Sequence, residues 1–94
     1  MFLVTFAYTA PIAEVDRVRP DHRSWLGGLV DRGLVVVGGP YLDDSGGAMI
    51  TLHAARADVE ADLVRDPYLA AGIVEHGVLE FTPRMLLPPI AHLA

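Results

Sequence analysis

The 94-residue chain is about one domain's worth of sequence, 52% hydrophobic and 20% charged with a formal net charge of −5, a balance that excludes a disordered chain. Its seven basic residues form no cluster, so the electrostatic footprint of nucleic-acid or acidic-membrane binding is missing, and no apolar run approaches the roughly 20 residues of a membrane span. The absence of cysteine excludes disulfides and thiolate chemistry and fits the expected cytoplasmic location, as does an N-terminal MFLVTFAYTA without a basic flank. A domain of this size buries only a little over ~60% of its unfolded surface. The positive mean hydropathy of +0.37 therefore points to a homo-oligomer in which a second copy covers apolar surface.

Taken in chain order, Phe2 to Tyr8 alternates large side chains and is apolar on both faces, the pattern of a central strand. The polar run Glu14–Arg19 precedes Pro20, placed at a first helical position, and Trp25, Leu26, Leu29 and Val30 follow at helical spacing up to the stop at Gly33. Gly27 and Gly28 weaken that helix unless something packs closely against them. Leu34–Val37, ending in Gly38-Gly39-Pro40, and Ala48–Leu52 form a hairpin across the turn residues Asp43–Gly47. Ala54–Arg65 is a second amphipathic helix with Ala55, Val59, Leu63 and Val64 on one side. Ile73–Phe81 is the last strand. The order β-α-β-β-α-β is the ferredoxin-like α+β arrangement, an antiparallel sheet with two helices on one face. The bare face predicts a face-to-face homodimer. The domain spans residues 1–83, and residues 84–94 form a Pro-rich C-terminal arm lying on a groove or a partner.

Two residues point to chemistry. His22 shares a helical stripe with Trp25, Leu26 and Leu29 and so faces inward near the expected helix start. It is either an imidazole placed for proton transfer near neutrality or a polar residue of the first turn bonded to a backbone carbonyl or to water. In RDPYLAAG, residues 65–72, Pro67 disfavours helical geometry at Asp66, leaving this carboxylate as a local cap or as the orienting partner of His22. Around this pair, Arg19 is a candidate for an anionic substrate group and Tyr68 for a pocket wall. Gly39-Pro40 allows close backbone approach, and His76 is a core, interface or pocket histidine. No metal is expected, because the histidines show no HxxxH or HxH spacing. No cofactor is expected either, because nucleotide-binding and serine-hydrolase motifs are absent.

Arg19-Pro20-Asp21-His22, Gly33, Gly38-Gly39-Pro40, Gly46-Gly47 and Asp66-Pro67-Tyr68 with Ala71-Gly72, in this order and spacing, resemble the YCII-related family from roughly Met1 to Pro83. The resemblance implies a ferredoxin-like subunit of a dimeric α+β barrel, with an active-site His and Asp falling on His22 and Asp66. It also implies cofactor-independent acid/base chemistry on a small cyclic or aromatic molecule, such as elimination of chloride from chlorinated hydroxyquinols or lactone isomerisation. The competing expectation is a dimeric module that binds a small ligand without turning it over. The Gly27-Gly28 pair and the C-terminal arm depart from the family pattern and are expected to reshape the pocket mouth.

Overall fold

The computed structural model describes residues 1–94. Its sheet has the order β2-β3-β1-β4, with β1 over Phe2–Tyr8, β2 over Val35–Pro40, β3 over Gly46–Thr51 and β4 over Val74–Glu80. Every neighbouring pair is antiparallel. As its two apolar faces predict, β1 is central: Phe6 lies between Gly47 of β3 and His76 of β4. Phe2, Val4 and Phe6 are buried with Met49 on the face covered by helices, each side chain contributing roughly 1.5–3 kcal/mol. On the opposite face Leu3 pairs with Ile50 and Leu79, and Leu79 is 62% exposed.

The first helix, α1, covers Ile12–Asp31 and begins well before the expected start at Pro20. Val15 and Val18 are buried together with His22 and Leu29, so the apolar stripe runs back through the polar segment. A proline inside a helix costs about 3 kcal/mol, and burial of two valines at roughly 1.5–3 kcal/mol each matches or exceeds it. His22 consequently stands in the middle of α1 rather than near its start. The helix does end at Gly33 as expected: this residue has φ 73°, its N–H donates to Val30, and the N–H of Leu34 donates to Leu29, the double bond of a Schellman cap. A Cβ at Gly27 or Gly28 would meet nothing within 4 Å. Close packing within the chain therefore does not explain them.

The hairpin turn is held by Asp43, whose Oδ1 accepts from the Ser45 backbone N–H at 3.0 Å and hydroxyl at 2.6 Å. The strands run further into the glycines than expected, taking in Gly38-Gly39-Pro40 and Gly46-Gly47. Contact distance is the reason. A Cβ at Gly38 would sit 2.9 Å from that of Met49, and one at Gly47 would sit 2.8 Å from the Gly39 carbonyl. Helix α2, Arg56–Leu63, is shorter than its amphipathic pattern suggested; Val59 and Leu63 are buried, whereas Val64 is 67% exposed. A one-turn helix, α3, follows at Pro67–Ala70. The C-terminal arm is not extended throughout, for Pro88–Leu93 winds into a 3-10 turn with no buried residue. No helix is long and apolar enough to cross a membrane.

Candidate active site

The segment RDPYLAAG folds as a capped single turn. Asp66 is the N-cap of α3 with extended backbone, φ −62° and ψ 122°, and its side chain accepts from the Tyr68 N–H at 2.9 Å. Pro67, which has no N–H to satisfy, occupies the first helical position. At the other end Gly72 has φ 69°; its N–H donates to Leu69 and that of Ile73 to Tyr68, a second Schellman cap. The turn is therefore fixed at both ends, and α3 packs against α1.

That rigidity places the Asp66 carboxylate, 0% exposed, between two imidazoles. Nδ1 of His22 lies 2.7 Å from Oδ1 and Nε2 of His76 lies 2.8 Å from Oδ2. A carboxylate only accepts, so both rings donate to it, and His22 keeps Nε2 free as the basic nitrogen. Burial pushes the Asp66 carboxyl up, but the bonds from His22, His76 and the Tyr68 N–H outweigh it and bring the pKa down to about 2. The His22 ring stacks on Tyr68 at 3.8 Å and 11°. The edge of Phe6 meets both histidines, at 5.5 Å and 5.2 Å. The imidazole is thus held by one hydrogen bond and by two aromatic walls. Tyr68 is pushed up to about 12, by burial first and then by the neighbouring Tyr8.

A cavity of about 390 Å³ opens beside this group, within the usual range of about 300–1,000 Å³ for small-molecule sites. Of the residues anticipated for the site, His22, Arg19, Tyr68, Gly39 and Pro40 line it. Asp66 stands behind His22 and is not itself a lining residue, which suits an orienting group. His76 is not a lining residue either, contrary to its expected place among the substrate contacts: its position opposite Phe6 on β4 aims it at the far oxygen of Asp66. Tyr8, Arg23, Leu26 and Val30 also line the cavity and were not anticipated. The signal was present, because 19, 22, 23, 26 and 30 follow the i, i+3, i+4, i+7, i+11 spacing of one helical face. Neither Gly27, Gly28 nor any residue of the C-terminal arm reaches the cavity wall, so the expected reshaping of the mouth is not seen.

A second histidine–carboxylate contact lies elsewhere and was not foreseen. His53, 6% exposed, bonds through Nε2 to Asp62 at 2.7 Å and through Nδ1 to the Thr51 hydroxyl at 2.8 Å. Arg32 donates to the other oxygen of Asp62 at 2.8 Å. Burial raises the Asp62 carboxyl, but the bonds from Arg32 and His53 outweigh it and hold it below the ordinary carboxylate range. This network joins the end of α1, the end of β3 and α2. With Thr51 wholly buried, it is a structural tie.

The fold and the site together define a small α+β protein of the ferredoxin-like kind, with an imidazole in a cavity wall backed by a buried carboxylate. The YCII-related domain matches residues 1–82, and the chain belongs to that family. Among solved structures it is similar to 5-chloro-2-hydroxyhydroquinone dehydrochlorinase from Burkholderia phenoliruptrix AC1100, determined in complex with 2,5-dihydroxybenzoquinone. The TM-score is 0.69 at 22% identity, covering 87% of this chain and 94% of that one, a likeness of fold. No functionally curated protein sequence matches the chain.

Proposed function

We propose that the protein is a small enzyme in which His22 is a general base acting on a cyclic or aromatic metabolite. The observation that carries this is the placement of one imidazole with its ring in the cavity wall and its Nδ1 on a buried carboxylate. Nδ1–H stays on the Asp66 side, and Nε2 takes a proton from an acidic carbon or hydroxyl of the bound ring. The released electron pair either expels a leaving group, such as chloride, from the neighbouring carbon, or returns to a proton at another carbon. Elimination or isomerisation follows, and His22 gives its proton back to solvent or product. Asp66 stabilises the imidazolium and fixes the tautomer. The dehydrochlorinase with the same fold supports the elimination branch.

Two copies joined through the bare sheet face, where Leu3, Ile50 and Leu79 lie together, complete the proposal; light scattering at micromolar concentration is expected to give twice the chain mass. The catalytic reading is tested by screening chlorinated hydroxyquinols, quinols and lactones for turnover with the wild type, His22→Ala and Asp66→Asn. Loss of about 10²–10⁴-fold in rate in a folded His22→Ala protein supports it. No turnover of any of these compounds, with both variants merely less stable, favours a ligand-binding module in which the pair serves structure.

A further inference from the structure

We propose that the cavity selects a small organic anion, a flat ring bearing a carboxylate or phenolate, and that Arg19 and Arg23 hold the anionic oxygens. This rests on the cavity being the ligand site and goes beyond the role of His22 within it. The chain has twelve acidic residues to seven basic ones, yet the seventeen residues around the cavity include Arg19 and Arg23 and no carboxylate. A wall with positive charge alone, in an acidic protein, is a selective arrangement.

The two arginines differ in what holds them. Arg19 is pinned: its Nη2 donates to Asp16 at 2.9 Å and its side chain is 20% exposed. One of five guanidinium donors is used there, and the fork leaves others for a ligand. Burial alone would draw Arg19 down, but its charge interactions with Tyr68 and Tyr8 and the Asp16 contact carry it upward, and both tyrosines line the same cavity as this guanidinium. Arg23, one helical turn further on, is exposed and has no ion-pair partner, unlike Arg17, Arg19, Arg32 and Arg56.

Further along the same wall the character changes. Leu26 and Val30 continue the α1 face, and Val35 and Met49 supply the sheet side. The site therefore has one cationic, hydroxyl-bearing end and one apolar end, with the base His22 on the same helical face as the two arginines. A ring acid matches both ends at once. Its ring lies against the aliphatic wall and its oxygens reach the guanidinium forks, as bidentate pairing favours. His22 Nε2 then faces the ring edge next to the anionic group, where a proton is to be moved.

The test uses the full-length protein and defined probes. Benzoate, 4-nitrophenolate, benzamide and benzamidine are titrated at low salt by calorimetry, with amide chemical shifts recorded in parallel. Benzoate or 4-nitrophenolate is expected to bind at least about ten-fold tighter than benzamide, to shift the amides around Arg19, Arg23 and Leu26, and to weaken on addition of salt. The tighter of the two tells carboxylate from phenolate. Arg23→Glu is expected to abolish the preference and Arg23→Lys to keep most of it; the side chain is exposed, and a melting curve confirms folding. Equal or better binding of benzamide or benzamidine overturns the proposal, as does an unchanged benzoate affinity in Arg23→Glu or no anion binding at millimolar concentration. Anion binding that survives in His22→Ala without any turnover by the wild type contradicts the general-base role and leaves the anion site standing. Turnover of a ring substrate with no preference for its charge does the reverse.

Discussion

Replacing Asp66 by Asn removes one charge from a wholly buried position. The carboxylate accepts three hydrogen bonds, from the Tyr68 N–H, from His22 and from His76. An amide has a single acceptor oxygen, so its NH₂ group is turned toward one imidazole N–H and that contact is lost. The magnitude follows from the carboxyl's ionisation, which lies at about 2 against an ordinary 3.8. At about 1.4 kcal/mol per pH unit this amounts to roughly 2 kcal/mol of stability. Because the folded-state pKa is depressed, that contribution is fully present above about 4 and disappears as pH falls through about 2. For a domain of this length 1 kcal/mol corresponds to about 4–8 °C in Tm. Thermal melts followed by circular dichroism from acid to neutral pH are therefore expected to place Asp66→Asn about 10 °C below the wild type near neutrality. The gap should close as the pH approaches about 2. Equal melting temperatures at neutral pH, or a gap that does not narrow in acid, would show that the two imidazoles do not stabilise the charged carboxylate.

Three further outcomes are expected. Spectrophotometric titration of the phenols should show one tyrosine ionising last, near pH 12, and Tyr68→Phe should remove that step; stability due to the neutral phenol is present below about 10 and is lost as pH rises through about 12. Gly28→Ala, in open helix interior, should raise stability by about 1 kcal/mol; a decrease in melting temperature would mean that another copy packs there. Asp62→Asn should cost roughly 2 kcal/mol, because the amide leaves a single acceptor oxygen for His53 and Arg32 and turns its NH₂ toward one of the two donors. Urea unfolding with an unchanged midpoint would contradict the role given to that network.

The central strand, the helix stop at Gly33, the hairpin and the element order were legible because each depends on local pattern. The Asp66–His22 contact, 44 residues apart in sequence, was legible only as a conjunction of a placed carboxylate with an inward imidazole. The start of α1 was not: Pro20 reads locally as a helix beginning, and the burial of Val15 and Val18 that overrides it is tertiary. Glycine-rich strand ends read as turns, since the close approach of Gly38 to Met49 exists only once β2 and β3 are paired. His76 and His53 look alike in sequence, each an isolated histidine, and only the fold gives each its carboxylate. The cationic wall was half visible, with Arg19 noticed and Arg23 missed on the same helical face.

The most direct measurement is solvent deuterium incorporation into ring substrates, followed by proton NMR in D₂O, with the wild type and His22→Gln. A panel of chlorinated hydroxyquinols, quinols and lactones samples the acidic positions that a base in this cavity would reach. If His22 moves the proton, the wild type exchanges or converts at least one member and His22→Gln, folded by its melting curve, does so about 10²–10⁴-fold more slowly. Equal rates for the two proteins would contradict the assignment of His22 as the base.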